Sequence, residues 1–245
     1  MIIYGINPVL EALRAGRVRR VRVGSRRDRR IDEILTLAGE RQIPIERVDA
    51  EDLRRAARGG VHQGILAELL PQRDYTLQEI VAGASPGPPL IVVLDGVEDP
   101  HNVGAVLRSA DASGCHGVVR QARHAAAFHG IASKASAGAL AHVRIATVVN
   151  IARAIEELKD ANVWTVGLAE GQREHYFDVD LTLPTALVLG AEASGLRRLV
   201  RERCDRLVSI PMVGLVSSLN VSVAAGVVLF EALRQRIQVS RRRSG

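Results

Sequence analysis

Residues 90–94, Leu-Ile-Val-Val-Leu, form an unbroken apolar run, and five more short runs follow at 117–119, 143–146, 163–168, 186–189 and 207–210. A strand with one face in water alternates polar and apolar residues, so a continuous run of branched aliphatics requires cover on both faces. Stretches with helical spacing, such as 151–158, lie between the runs. Strand and helix in alternation imply a parallel, doubly wound α/β sheet that takes its ligands at the carboxyl ends of the strands.

The first seventy residues repeat the alternation on a smaller scale. Asn7-Pro8 opens a short helix carrying Val9, Leu10 and Leu13, and Val21 and Val23 alternate with Arg20 and Arg22 as in a half-buried strand. Ile31, Ile34, Leu35 and Ala38 recur at helical spacing, residues 43–45 read as a strand, 51–57 as a helix and 64–70 as a last strand. At 83–89 the chain reads Gly-Ala-Ser-Pro-Gly-Pro-Pro, which neither helix nor strand tolerates. The expected organisation is a small domain over 1–72, a linker over 73–89, a larger domain over 90–237, and a flexible basic tail over 238–245.

Lysine and arginine number 33 against 27 acids, a net charge of +6 that favours a polyanionic partner. The excess is concentrated: nine arginines and a single acid, Asp28, lie between Arg14 and Arg30, and Arg241, Arg242 and Arg243 form a second cluster. So dense a run points to phosphate contact. Aromatics make up only 3 %, which argues against stacking platforms for unstructured single strands. Cys115 and Cys204 have no Cys or His neighbours at ligand spacing and read as reduced, buried small residues; the histidines form no ligand set, so no metal is expected. Met1 leads into an amphipathic stretch without a signal-peptide pattern, and no apolar run reaches membrane-spanning length, so the expectation is a soluble, cytoplasmic protein without membrane contact.

Three strand ends run into unusual loops. After 90–94 come Asp95 to Pro100 and then a helix, with Asn102 placed to cap it, Gly104-Ala105 open to close approach, and Arg108 further along. After 186–189 the chain reads Gly-Ala-Glu-Ala-Ser-Gly-Leu, a glycine pattern without dinucleotide-fingerprint spacing. After 207–210 comes Pro-Met-Val-Gly-Leu-Val-Ser-Ser-Leu, and Asn220 begins an apolar helix running to about Arg236. Each loop alone fits a merely structural role. Together, at the ends of core strands, they mark a candidate site.

The loops also match, in order and spacing, three motifs of a known family. Asn102 to Ala110 fits N-x-G-A-x-x-R-[ST]-A, Leu189 to Leu196 fits L-G-x-E-x-x-G-[LM], and Ile210 to Ala224 fits I-P-M-x-G-x-x-x-S-L-N-V-S-x-A. Residues 90–236 therefore resemble the SpoU (TrmH) family of RNA ribose methyltransferases. The leading segment, with Val61-His62-Gln63-Gly64 near its end, resembles the ribosomal-protein-like RNA-binding domain of the subgroup that methylates a guanosine ribose in the peptidyl-transferase loop of large-subunit ribosomal RNA.

The resemblance implies a SPOUT-type parallel sheet whose C-terminal segment is threaded into a deep trefoil knot, and a homodimer with each site completed across the interface. It implies S-adenosylmethionine as cofactor, on Gly190, Ile210 and Leu219, with Leu189, Met212, Gly214 and Ser218 nearby and Leu168-Ala169 bordering the pocket. Relatives often carry threonine at position 168. By the same resemblance Arg108 engages the 2′-hydroxyl, Asn102 and Glu192 orient Arg108 and the ribose, and Ser218 and Asn220 shape the third loop. A guanidinium holds its proton too tightly to act as a base, so Arg108 is expected to stabilise developing alkoxide. Arg19, Arg20, Arg22, Arg26, Arg27, His62, Gln63 and Arg123 are the candidate RNA contacts. Arg123 falls where relatives often show a proline and a Lys-Asp-Arg-like turn, and 133–140 fits a family segment near the target nucleotide. Transfer-RNA ribose methylation, a resistance methyltransferase acting on ribosomal RNA, and a non-catalytic ribosome-assembly protein remain alternatives.

Overall fold

The computed structural model describes residues 2–26, 28–71, 73–122, 139, 142–192 and 194–243. They form two compact units, one of the residues up to Arg73 together with Ala139 and His142, the other of those from Asp74 to Ala122 and from Val143 onward. In the first unit the chain runs β1 (Ile2–Tyr4), α1 (Ile6–Arg14), β2 (Val18–Val23), α2 (Arg29–Glu40), β3 (Ile45–Arg47), α3 (Ala50–Ala56) and β4 (Ile65–Leu69). The sheet order is β1-β4-β2-β3, with β2 and β3 parallel and the other pairs antiparallel. Val21, Val23, Ile65 and Ala67 share a core with Val9, Leu10 and Leu13 of α1 and Ile31, Ile34 and Ala38 of α2. A register shift at Arg19 lets Val18 and Val21, three residues apart, both reach that core.

The loop before β4 has a structural duty. Gly5 precedes α1 without a capping side chain, and the Gln63 side-chain oxygen accepts the Ile6 backbone N–H at 2.9 Å instead. A cap of this kind contributes about 1 kcal/mol. Gln63→Ala is therefore expected to lower the stability of this unit by about that amount, read as a fall in the urea midpoint at unchanged slope.

The second unit begins with α4 (Leu77–Ala82) inside the stretch expected to be linker. Thr76 and Glu79 cap each other's backbone, and Leu77 and Ile80 are buried beside Ile91 and Val119. The breaker run at 83–89 ends this helix; the linker reading extended the breaker's influence too far towards its N-terminal side. Then come β5 (Leu90–Asp95), α5 (Pro100–Ala112), β6 (Gly117–Gln121), β7 (Ile145–Val148), α6 (Ile151–Asp160), β8 (Trp164–Leu168), β9 (Thr185–Gly190), α7 (Arg198–Arg203), β10 (Arg206–Val208) and α8 (Val221–Arg243). All neighbours in the sheet, β10-β8-β9-β5-β6-β7, are parallel. Every residue of the central strand β5 is buried, as its unbroken apolar run requires.

Two further features depart from expectation. The connection between β8 and β9 contains no helix among the described residues. And α8 continues through Arg243, so the basic segment after 237 is helical where a flexible tail was expected. Gln, Arg and Val after Arg236 include no breaker, and nothing stops the helix at its last apolar turn. α8 packs against α5 and β9, and Arg236 donates to the carbonyls of Pro88, Pro89, Leu181 and Leu183. Among the described residues no helix is long and apolar enough to cross a membrane.

Candidate active site

β8, β9 and β10 end side by side, and the chain that follows each of them lines one cleft of about 640 Å³. That volume is typical of small-molecule sites, which run from about 300 to 1,000 Å³. Leu168 and Ala169 line it from the end of β8, Leu189, Gly190 and Glu192 from β9, and Ile210, Met212, Ser218 and Leu219 from the third loop. Gly214 alone of the expected cofactor residues does not line it; the space around its Cα is open.

Gly190 is where the second loop turns back on itself. The Gly195 backbone N–H bonds the Ala191 carbonyl at 2.8 Å, and a Cβ at 190 would collide with the backbone of Gly195 and Leu196. Rigid backbone cannot yield as a side-chain end can, so the turn requires glycine. Asp95, fully buried at the end of β5, holds the far side of this loop: it accepts the Arg197 backbone N–H at 2.8 Å and the Arg197 Nε–H at 2.6 Å. Gly190→Ala is expected to displace the turn and, if the cleft takes the cofactor that the family resemblance implies, to weaken S-adenosylhomocysteine binding by at least about ten-fold, measured by calorimetry.

Beside the cleft three polar side chains meet from distant parts of the chain. Asn102, buried in α5, donates from its side-chain nitrogen to one carboxylate oxygen of Glu192 at 2.8 Å. Asn220 donates both to that same oxygen and to the Asn102 side-chain oxygen, the latter at 3.0 Å. Asn220 in turn accepts the Ser222 backbone N–H at 2.9 Å and so caps α8. Asn102 does not cap α5 as expected: Asp99 does, accepting the His101 N–H at 3.0 Å, one turn earlier. The other Glu192 oxygen bonds no described residue.

Arg108 lies on α5, exposed, and forms no hydrogen bond or ion pair with any described residue. It is not held by Asn102 or Glu192, contrary to expectation. Six residues along an α-helix turn two side chains about 120° apart around its axis, so Asn102 and Arg108 face different directions.

The N-terminal arginines are less free than their count implied. Arg20 pairs with Glu46 at 3.1 Å, and Arg22 pairs with Glu46 at 3.2 Å and Glu68 at 2.7 Å. The hydrogen bond from Arg20 is the chief cause holding the Glu46 carboxyl below its ordinary range. Arg26 reaches Asp28 at 3.6 Å, while Arg19, at the register shift, is exposed with no partner among the described residues. His62 accepts the Gly64 N–H on Nδ1 at 3.1 Å. Arg27, Arg123 and most of 133–140 lie outside the described residues. The half-buried thiols are pushed up by burial, Cys115 to about 11 and Cys204 to about 12, so neither supplies a thiolate at neutral pH.

Two elements of the site escaped the sequence. One is the buried Asp95–Arg197 clasp, formed across 102 positions. The other is His175, which lines the cleft from the helix-free β8–β9 connection and approaches Ser209 Oγ at 3.2 Å. A search for ligand spacing passes over a histidine whose partner is a serine hydroxyl.

Comparison with known proteins bears on the whole chain. Residues 89–230 match the model of the SpoU rRNA Methylase family, and residues 2–75 match that of the RNA 2′-O ribose methyltransferase substrate binding domain. The 23S rRNA (guanosine-2′-O-)-methyltransferase RlmB of Photorhabdus laumondii is 45 % identical over 242 residues, covering 96 % of this chain and 98 % of the relative. The protein of that name from Yersinia pestis is 45 % identical over 240 residues, covering 96 % and 97 %. The crystal structure of the SpoU methyltransferase AviRb from Streptomyces viridochromogenes, in complex with the cofactor AdoMet, superposes with a TM-score of 0.81 at 30 % identity, covering 97 % of this chain and 90 % of that one. With both units matched, the second and third motif loops lining one cleft and Asn102 of the first bonded to Glu192 at its edge, the chain belongs to the SpoU rRNA methylase family.

Proposed function

We propose that this chain transfers a methyl group from S-adenosylmethionine to the ribose 2′-hydroxyl of a guanosine in 23S ribosomal RNA, the activity that the relatives' names carry. Placing that guanosine in the peptidyl-transferase loop rests on the family resemblance. The observation that carries the reading is the junction of Asn102, Glu192 and Asn220, which joins all three motif loops to a cleft of cofactor size. The cleft suits the cofactor chemically: Leu168, Leu189, Ile210 and Leu219 offer apolar walls for a purine, and the Glu192 carboxylate favours a cation. Met212 and Ser218 complete that wall in this reading, as does Ala169.

Bound S-adenosylmethionine supplies a methyl group on a positively charged sulfur, already a reactive donor. The chain must align the ribose oxygen and stabilise its charge. Arg108 acts as a hydrogen-bond donor to the 2′-oxygen or the adjacent phosphate, the hydroxyl proton leaving to phosphate or water. Glu192, with one oxygen fixed by two amides, keeps the other for the ribose side. Asn102 and Asn220 set that carboxylate's orientation. In the N-terminal unit Arg19, Arg26 and His62 support RNA binding in this reading, and Arg20 and Arg22 serve through the ion-paired sheet face. The return of the chain from the edge strand β10 to pack α8 on α5 supports the knotted path.

The test is methylation of 23S ribosomal RNA from cells lacking the gene, followed by mapping of ribose methylation. One guanosine should become protected from alkaline cleavage. Methyl incorporation into transfer RNA instead, or RNA binding without incorporation, would overturn the reading.

We also propose a homodimer in the cytoplasm, with its ribosomal RNA substrate. Val223, Phe230 and Ile237 are about half exposed and recur every seven residues, which places them on one stripe of α8. Val213 and Leu215 stand fully exposed in the third loop. Apolar surface so arranged marks an interface. Phe230→Asp is expected to convert the dimer to monomer in sedimentation velocity, with activity lost alongside.

A further inference from the structure

His175 forms part of a hydrogen-bond chain that determines which of its ring nitrogens carries the proton. Ser209, 7 % exposed at the end of β10, donates its single hydroxyl proton to the Gln172 carbonyl at 3.0 Å. The 3.2 Å contact between Ser209 Oγ and His175 Nδ1 must then run the other way, from an Nδ1–H to the hydroxyl oxygen. A neutral imidazole protonated at Nδ1 has a bare lone pair at Nε2. No described residue donates to that nitrogen.

The backbone keeps the ring in place. The Ser209 N–H bonds the Glu174 carbonyl at 3.0 Å, the Tyr176 N–H bonds the Ser209 carbonyl at 3.1 Å, and the His175 N–H bonds Asp178 at 3.1 Å. These bonds attach the β8–β9 connection to the end of β10 as a short parallel bridge. Phe177 packs against the ring at a tilt, centroids 5.3 Å apart. A histidine in a pinned tautomer, lining a ligand cleft with its second nitrogen unused, is an acceptor awaiting a donor.

We propose that His175 is a cofactor-binding residue whose Nε2 accepts a hydrogen bond from the nucleoside of the cofactor. The donor is the exocyclic amine of the base or a ribose hydroxyl, the two N–H or O–H sources a purine nucleoside carries. Ser209 and Gln172 are positioning residues that set the tautomer. The inference rests on the cleft being the S-adenosylmethionine site.

The test is calorimetry of the full chain with S-adenosylhomocysteine, S-inosylhomocysteine and the 2′-deoxy and 3′-deoxy forms of S-adenosylhomocysteine. His175→Leu should weaken S-adenosylhomocysteine about ten-fold, the size of one ordinary hydrogen bond, and His175→Gln should restore most of that loss. On the one analogue that lacks the group donated to His175, His175→Leu should have no further effect, which identifies the donor. Unchanged thermal unfolding of the ligand-free variants separates these effects from misfolding. Equal affinity of His175→Leu and the parent, or the same loss on every analogue, would overturn the inference. No binding by the parent chain would instead overturn the cleft assignment itself.

Discussion

Arg108→Lys should lower single-turnover methyl transfer by about 10²–10³, the usual cost of removing one donor from a site of developing negative charge. Its affinity for S-adenosylhomocysteine should stay within about two-fold of the parent, since Arg108 does not line the cleft. Lysine keeps the charge but loses the planar fork that can hold a sugar oxygen and a phosphate together. The side chain has no partner among the described residues, so the substitution disturbs no internal contact. A loss confined to KM, with kcat intact, would reduce Arg108 to an RNA-binding cation. Near-normal turnover with unchanged RNA binding would remove the guanidinium from the chemistry altogether.

Arg197→Ala should destabilise the catalytic unit by about 3 kcal/mol, at the low end for breaking a buried pair because Arg197 itself is half exposed. Asp95 is wholly buried and would retain only the backbone N–H of residue 197 against its charge. At about 2–4 °C per kcal/mol for a unit of this size, the thermal midpoint should fall by about 6–12 °C. Asp95→Asn combined with Arg197→Met should recover most of that loss, because a neutral acceptor still serves the backbone N–H while no charge is stranded. If the double variant is no better than Arg197→Ala, packing rather than charge accounts for the effect.

The sheet was legible because burial on both faces leaves a mark in the chain itself: each of the six apolar runs overlaps a strand, and β5 is buried throughout. The linker was misjudged because Pro and Gly at 83–89 are louder than the capping pair Thr76 and Glu79 just before them. The cofactor-side loops stood at strand ends, where periodicity stops and motif begins, and all but Gly214 line the cleft. The ion pairing within the arginine run was not legible, for a physical reason. Counting acids inside the run missed Glu33, Glu46 and Glu68, which lie elsewhere in the chain and arrive only on folding. Partners so distant leave no local signature, and the same holds for Asp95 with Arg197 and for His175 with Ser209. Nor does periodicity carry any information about threading.

Arg236 closes onto the Pro88 and Pro89 carbonyls across almost the whole length of the catalytic sequence. Asn220, one member of the polar junction, lies just ahead of the helix that carries it. In chain order every strand of the sheet precedes α8, so the Pro88 and Pro89 carbonyls meet Arg236 only after the whole sheet sequence has been made. Contacts this far apart form late. A chain cut off before Arg236 would therefore carry nearly every motif residue and still lack the bonds that tie α8 back to the start of β5.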